Sequence, residues 1–184
     1  MKFICIMGRA GSGKSTVEQA LEQLGFTRSI SYTSREPQFR DGKQEKHGNE
    51  YMFVSRDKFM DLVGKGQIIE YEEYNGNLYG TPRPFGSTHY VAVVCVGGFK
   101  ALKQLYGEQV TGVYLSVSEE TAILRGEKRD GSTKLISERK KQDEKLLAEM
   151  EEAADVVIDA NKDLNSVLAD ILKAVRRDSR HEGM

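Results

Sequence analysis

The chain has 184 residues, 39% of them hydrophobic and 30% charged, with a formal net charge of −1 at pH 7. This length predicts one domain with a buried core, and the near-neutral charge argues against a nucleic-acid-binding protein. No apolar run approaches the roughly 18 residues of a membrane span or forms a secretion signal, so we expect a cytoplasmic protein that does not bind membranes.

The amino-terminal segment predicts a strand followed by a helix. The run Phe3–Met7 is continuously apolar, which is typical of a strand buried on both faces of a parallel sheet. Beyond Ser15, apolar residues recur at helical spacing, and Gly25 is the expected end of the helix. The apolar face of this helix is expected to contain Val17, Ala20, Leu21 and Leu24.

The loop between this strand and this helix has the sequence GRAGSGKS, from Gly8 to Ser15, which fits the pattern G-x-x-x-x-G-K-[ST]. In such a loop, backbone N–H groups and the helix N-terminus surround phosphate groups, and glycine lets the backbone come close to the anion. We therefore expect a nucleoside triphosphate here, with Lys14 on its β and γ phosphates and Ser15 on Mg²⁺. The expected nucleotide contacts are Gly11, Ser12, Gly13, Lys14, Ser15 and Thr16.

The middle of the chain, at about 31–84, has shorter patterns and is richer in polar and aromatic residues. The pair Asn75-Gly76 is typical of a tight hairpin turn, and Ser55 is a candidate N-cap for a short helix that ends at Gly64. The buried face of that helix is expected to contain Phe59, Leu62 and Val63. These features predict a small antiparallel subdomain that is inserted into the main fold.

After this insertion, strand patterns and helix patterns alternate. The expected elements lie at 91–96 (strand), 98–106 (helix), 110–117 (strand), 118–129 (helix) and 155–159 (strand). A last helix is predicted from an apolar face made of Leu164, Val167, Leu168, Ile171, Leu172 and Val175. This order predicts an α/β fold whose parallel sheet is flanked by helices on both sides.

A basic segment lies between two of the helical patterns. Residues 126–134 are dense in charge and glycine, which predicts an irregular lid over an anion; a solvated helix face is the alternative for its lysines. The cationic residues of this lid, at about 125–141, are Arg125, Lys128, Arg129, Lys134, Arg139, Lys140 and Lys141. The chain is thus expected to form a single domain, 1–184. Its core is formed by 1–30 and 85–184, and the lid belongs to the second of these ranges.

Three motifs in the middle segment resemble those of the guanylate kinases. They are Ser-x-Thr-x-Arg-x-Pro from Ser31, Tyr-x-Phe-Val-Ser from Tyr51, and Glu70 followed by Gly-Asn-x-Tyr-Gly-Thr, at similar spacing after an amino-terminal phosphate loop. The resemblance covers nearly the whole chain. It implies a P-loop nucleoside monophosphate kinase that phosphorylates GMP or dGMP with ATP and Mg²⁺.

The resemblance also implies roles for individual residues. The guanine contacts would be Ser31, Glu70 and Thr81, and the contacts to the GMP phosphate would be Arg35, Tyr51 and Tyr79. The catalytic residues would be Lys14, Arg129 and Arg139, with Asn161 beside adenine. The chemistry of these side chains agrees, because a carboxylate and hydroxyls complement the polar edge of guanine and arginine binds phosphate in a bidentate manner.

Three positions depart from the family pattern. Gln38 occupies the place of a second phosphate-binding arginine, and Arg40 is a candidate to replace it. Val93 and Cys95 occupy the places of two aspartates, one near the metal and one that helps to hold guanine. Because the loss of one designed hydrogen bond weakens discrimination between ligands, these residues put strict guanine selectivity in question.

Two other functions fit parts of the pattern. A kinase of the same architecture would act on another nucleoside monophosphate or on a phosphorylated sugar, which Val93 and Cys95 favour. A non-catalytic module that binds a phosphopeptide is disfavoured by the intact loop with Lys14 and Ser15. The expected partners are therefore small-molecule substrates, and both a monomer and a homodimer are compatible with the sequence.

Overall fold

The computed structural model of the protein describes residues 2–40, 42–86, 89–130 and 140–178. For residue 40 and for 126–130, 140–143 and 177–178 it describes the backbone only. Within these ranges, no helix combines the length and the apolar character that crossing a membrane requires.

The strands of the described residues are, in chain order, β1 (Phe3–Met7), β2 (Thr27–Arg28), β3 (Tyr32–Thr33), β4 (Phe39–Arg40), β5 (Lys43–Gln44), β6 (Met52–Phe53), β7 (Ile68–Tyr74), β8 (Asn77–Pro82), β9 (Tyr90–Val93), β10 (Val110–Ser116) and β11 (Val156–Asp159). The α-helices are α1 (Lys14–Gln23), α2 (Arg56–Gly64), α3 (Val96–Tyr106), α4 (Glu119–Asp130), α5 (Lys140–Ala153) and α6 (Leu164–Asp178).

The core is a parallel five-stranded sheet with the strand order β11-β10-β1-β9-β2. The apolar strand β1 lies at its centre, where every one of its residues is buried. Helices cover both faces, because Val17 and Leu21 of α1 share one cluster with Ile171 of α6, and Leu102 of α3 shares another with Met150 of α5. The predicted α/β fold with a helix-flanked parallel sheet is confirmed.

A second sheet, with the strand order β6-β3-β8-β7, is built from the inserted segment. Asn75 and Gly76 join β7 to β8 and both have positive φ, as a tight hairpin turn requires. Ser55 caps α2 by accepting a hydrogen bond from the Lys58 amide, and Phe59 of this helix is fully buried. The insertion is not wholly antiparallel, because β3 and β6 pair in parallel.

Three boundaries around the site differ from the sequence-based expectation. The helix α1 ends at Gln23, so Leu24 is exposed and does not belong to the buried face. The strand β9 ends at Val93 and α3 begins at Val96, ahead of the expected start at residue 98, because Cys95 has an extended backbone and caps the helix through its sulfur.

All five strands of the core sheet run in the same direction, so their carboxyl ends meet at one edge. Ligands of open α/β sheets bind at this edge. The loop Gly8–Ser15 follows β1 and therefore lies there, and the segment that forms the second sheet leaves the core after β2 and returns to it at β9. The connectivity thus brings both predicted anion sites to the same edge.

Candidate active site

The loop from Gly8 to Ser15 connects the central strand to the N-terminus of α1. Gly8, Gly11 and Gly13 have φ values of 144°, 80° and 91°, in the region that favours glycine. A Cβ at Gly11 would lie 2.4 Å from the backbone oxygen of Ala122, so space as well as conformation requires glycine there. Gly13 occupies the N-cap of α1 and has no side chain to cover the first amides, which favours an anion at this end.

Two side chains of the loop are arranged for a phosphate group. The Lys14 ammonium donates to the backbone oxygens of Gly8 at 2.7 Å and of Arg9 at 2.8 Å, which holds its positive charge over the loop. The Ser12 side chain is only 1% exposed, and its hydroxyl has no hydrogen-bond partner in the described part of the chain. A buried polar group without a partner is costly. The loop therefore fits a ligand that brings its own polar atoms.

A cleft of about 870 Å³ extends from this loop to the inserted segment. The residues of the loop line this cleft, and so do Arg35, Tyr51 and Tyr79. Arg125 of α4 and Met150 of α5 also contribute to its wall. The residues that the sequence assigns to the two phosphate sites thus line one cavity.

Arg35 is held in this cleft by a buried carboxylate. Its guanidinium donates to both oxygens of Glu45, at 2.6 and 3.1 Å, and both residues are less than a tenth exposed. Glu45 also accepts from the Gln38 amide at 2.8 Å. The Arg35 guanidinium lies 5.3 Å from the ring centroid of Tyr51 and 5.5 Å from that of Phe53, within the range of cation–π attraction. The ion pair and the rings together fix the orientation of the guanidinium.

The two predicted tyrosines lie side by side in this clamp. The rings of Tyr51 and Tyr79 pack edge to face with centroids 5.9 Å apart. At Gln38, the place of the second arginine in the family pattern, the backbone amide donates to Glu45. The side chain of Arg40 lies outside the described residues, so its proposed replacement role stays a prediction. Glu45 itself had no sequence signal, since it stands in a run of charged residues without apolar periodicity.

The predicted guanine contacts Glu70 and Thr81 are neighbours. The Thr81 hydroxyl donates to Glu70 at 3.3 Å, and the Cys95 thiol lies 3.9 Å from the same oxygen. A Cβ at Gly97 would be 2.8 Å from the Glu70 carboxylate, and one at Gly98 would be 2.4 Å from the Thr81 hydroxyl. The glycine pair at the start of α3 therefore makes room for this cluster. Burial, and then the charge of nearby Glu72, raise the pKa of the Glu70 carboxyl.

Cys95 changes the chemistry of this cluster. Burial raises the pKa of its thiol to about 11, so the thiol stays protonated at neutral pH and acts as a weak donor to Glu70. An aspartate at this place would instead accept hydrogen bonds from a base. The cluster consequently presents one carboxylate, that of Glu70, where the family pattern has two.

Ser31, the third predicted guanine contact, directly precedes β3, whose Tyr32 pairs with Gly80, the residue before Thr81. Ser31 lines a second cavity of about 490 Å³, together with Ser15, Tyr51 and Val93. Ser15, Tyr51 and Val93 line the main cleft as well, so the two cavities meet at these three residues. The register of β3 and β8 therefore places Ser31 beside Thr81, at the border of the second cavity.

The basic residues of the predicted lid are only partly described. The Arg125 guanidinium donates to the backbone oxygen of Ala160 at 2.9 Å beside the phosphate loop. Arg129 lies on α4, which stays helical to Asp130, so the first part of the expected irregular region is a helix. The side chain of Arg129 and the whole of Arg139 lie outside the described residues, and their roles stay predictions.

Asn161 occupies a structural position near the carboxyl end of β11. Its side chain accepts from the Ser118 amide at 3.2 Å and donates to Asp159 at 2.8 Å. The residues on either side of it, Ala160 and Lys162, line the main cleft, whereas Asn161 is not among the residues of its wall. A contact between Asn161 and adenine stays a prediction.

A Mg²⁺ ion would find few protein ligands in this cleft. Ser15 is exposed on the first turn of α1 and lines both cavities. Nowhere in the described ranges do three or more His, Cys, Asp or Glu side chains form a group suited to a metal. Because Mg²⁺ at nucleotide sites is held largely by phosphate oxygens and water, this donor set fits a metal that enters with the nucleotide.

Known proteins are similar to this chain. A family model described as guanylate kinase matches residues 1–178. A guanylate kinase of Lactobacillus delbrueckii subsp. bulgaricus is 42% identical over 83 residues, which are 44% of this chain and 39% of that protein. A guanylate kinase of Ehrlichia ruminantium (strain Gardel) is 33% identical over 144 residues, which are 72% of this chain and 66% of that protein. The chain thus spans from about two fifths to about two thirds of the length of these two relatives.

A solved structure agrees with the fold. Guanylate kinase from Anaplasma phagocytophilum has a TM-score of 0.65 to this chain at 24% sequence identity, and the match covers 96% of this chain and 85% of that one. At this identity the likeness concerns the arrangement of helices and strands alone.

Proposed function

Because the chain belongs to the guanylate kinase family, we propose that it transfers the γ-phosphoryl group of ATP to the phosphate of GMP or dGMP, giving ADP and a nucleoside diphosphate. The observation that carries this proposal is the cleft that is lined both by the Lys14 loop and by Arg35, Tyr51 and Tyr79. Such an arrangement allows the acceptor phosphate to face the γ-phosphoryl group in line with the bond that breaks.

The reaction in this proposal needs no side-chain nucleophile, because the attacking atom is an oxygen of the acceptor phosphate. Lys14 and the amides of the loop bind the triphosphate, and Arg35 holds the acceptor phosphate through the guanidinium that Glu45 orients. Mg²⁺, carried in with ATP and contacted by Ser15, would supply charge neutralisation at the β and γ phosphates. The work of the protein is then to align the two anions and to exclude water.

Guanine recognition is assigned to Glu70, Thr81 and Ser31. The Glu70 carboxylate would accept from N1–H and the 2-amino group, and Thr81 holds it in place. Ser31 adjoins Thr81 in the sheet register, so we assign it to the same base. We assign acceptor binding to the insertion at 31–84 and phosphate transfer to the core at 1–30 and 85–184.

The lid at 125–141 completes the proposed site. Arg129 and Arg139 would cover the transferred phosphoryl group and stabilise the charge on its oxygens, as arginine fingers do. Asn161 is assigned to the edge of the adenine site because its neighbours Ala160 and Lys162 line the cleft. We also propose a cytoplasmic location, and we propose no nucleic-acid partner because the net charge is −1.

ADP formation from MgATP, measured with each nucleoside monophosphate in turn, tests the proposal. We expect activity with GMP and dGMP, and little with AMP, CMP, UMP or dTMP. A preference for one of the latter, or for a phosphorylated sugar, would replace this assignment by a kinase of the same fold for another acceptor, which Cys95 beside Glu70 makes the second candidate. No ADP formation with any acceptor would contradict both.

The KM for GMP should depend on the ionisation of Glu70. The raised pKa of this carboxyl means that it takes up a proton at a higher pH than an ordinary glutamate, and a protonated carboxyl no longer accepts from N1–H. We expect the KM for GMP to rise as the pH falls through that pKa. Glu72→Gln removes a charge that raises the pKa, so it should move this rise to lower pH.

Glu73→Gln is the matched control for this experiment. Glu73 is the next residue on β7, but its carboxylate pairs with Arg56 at 2.8 Å on the surface. The pH profile of this variant should match that of the wild type. An unchanged profile for Glu72→Gln would remove Glu70 from the assignment.

A further inference from the structure

A buried carboxylate next to the phosphate loop has no part in the mechanism above. Glu18 lies on α1, three residues after Ser15, and is only 6% exposed. One carboxylate oxygen accepts from the Val93 amide at 3.3 Å, and the other pairs with Arg28 at 3.1 Å. Residues three apart on a helix lie on the same side of it. Glu18 therefore stands beside Ser15, on the side that faces the end of β9.

The cavity next to Glu18 joins the nucleotide cleft. Glu18 lines the second cavity together with Ser15 and Val93, and both of these residues also line the main cleft. The other carboxylates that line the two cavities in the described ranges are on different elements: Glu45 and Glu50 in the insertion, and Glu72 on β7. Of this set, Glu18 is the one carried by the same helix as Ser15.

Ion pairing alone gives a weak reason to bury this group. Taking a carboxylate out of water is costly, and burial raises the pKa of Glu18 in spite of the Arg28 charge. Glu22, one turn further along α1, lies near the same arginine at 3.8 Å and remains about half exposed. Arg28 also donates to the backbone oxygen of Asn49 at 2.9 Å, so it has partners besides Glu18. A function of Glu18 at the cavity better explains why the cost of burying its carboxylate is tolerated.

The position of the Glu18 carboxylate matches a gap in the site. The resemblance gives the position of Val93 an aspartate near the metal, and here an apolar side chain stands there. The Glu18 oxygen reaches the backbone of this very residue. A carboxylate has about four acceptor positions. Two Arg28 donors and the Val93 amide take three of them, which leaves one position, on the oxygen that accepts from Val93, for a further donor.

We propose that Glu18 provides the carboxylate that accepts a hydrogen bond from a water ligand of the nucleotide-bound Mg²⁺, in place of the aspartate absent at Val93. Mg²⁺ keeps several waters when it is bound with a nucleotide, and groups that hold such ligands strengthen metal binding. The proposal rests on MgATP binding at the phosphate loop, but not on the identity of the acceptor. Glu18 acts through water and is thus a positioning residue.

The test measures ATP binding by calorimetry without any acceptor, over a series of Mg²⁺ concentrations and in EDTA. Glu18→Gln keeps the shape and one oxygen acceptor but loses the charge, and should raise the Mg²⁺ concentration for half-maximal tightening by about 10- to 100-fold. The Kd for ATP in EDTA should stay close to that of the wild type. Glu22→Gln, which removes a charge near the same arginine, should leave both values unchanged.

A rescue variant separates a metal role from a structural one. Adding Val93→Asp to Glu18→Gln returns a carboxylate to the end of β9 and should restore most of the Mg²⁺ dependence. If Glu18→Gln does not fold, Glu18→Asp keeps the charge on a shorter arm and should show an intermediate loss. The proposal is overturned if the folded Glu18 variant needs the same Mg²⁺ concentration as the wild type. It is also overturned if adding Val93→Asp does not lower the Mg²⁺ concentration that the Glu18 variant needs. ATP binding by the wild type that ignores Mg²⁺ would contradict the proposed kinase as well.

Discussion

Replacing Arg129 or Arg139 by alanine should lower kcat by about 10³-fold or more, because an arginine over the transferred phosphoryl group acts mainly in the transition state. The KM for GMP should stay close to the wild-type value, since neither residue belongs to the acceptor clamp. Initial rates of ADP formation at varied GMP and saturating MgATP give both constants. A loss confined to kcat is the signature of an interaction made in the transition state.

Lys128→Ala is the matched control for these variants. It removes one positive charge from the same segment, next to Arg129, and leaves both assigned arginines in place. If the segment acted only through its overall positive charge, Lys128→Ala and Arg129→Ala would have similar effects. Equal losses in kcat and in GMP affinity for the arginine variants would instead show that these residues bind the acceptor.

The parts of the site that follow from local sequence were predictable. The glycines of the phosphate loop are required by positive φ and by close contacts, and both constraints act within one short segment. The apolar run of β1 and the Asn75-Gly76 turn are local in the same sense. The α/β core follows from the alternation of such segments, because parallel strands need helical connections that cover the sheet.

Residues whose role depends on distant partners could not be predicted in this way. Glu18 accepts from a backbone amide 75 residues away, and nothing in the sequence near Glu18 announces that contact. Glu45 becomes a buried partner of Arg35 only because the strands β4 and β5 fold back on each other between them. The early start of α3 has a similar origin, since a cysteine is a weak capping residue by sequence and acts here through its sulfur.

Arg35→Ala should affect both folding and acceptor binding. The substitution takes the bidentate partner from Glu45, whose side chain is only 6% exposed, and breaking a buried ion pair costs about 3–5 kcal/mol of unfolding free energy. It also removes the charged donor of the phosphate clamp, which should raise the KM for GMP by at least about tenfold. Urea denaturation gives the first effect, and initial rates with GMP give the second.

The pair Arg56–Glu73 provides the control within the same inserted segment. Its atoms are 2.8 Å apart, but both side chains are more than half exposed, so Arg56→Ala should cost about 1 kcal/mol or less.

Adding Glu45→Gln to Arg35→Ala should recover part of the lost stability, since a neutral amide is cheaper to bury than a carboxylate, and should recover none of the GMP affinity. This result would separate the two roles of Arg35. Its ion pair with Glu45 stabilises the fold and orients the guanidinium, whereas the guanidinium itself binds the acceptor. Recovery of both quantities in the double variant, or a cost for Arg35→Ala no larger than that for Arg56→Ala, would contradict this division.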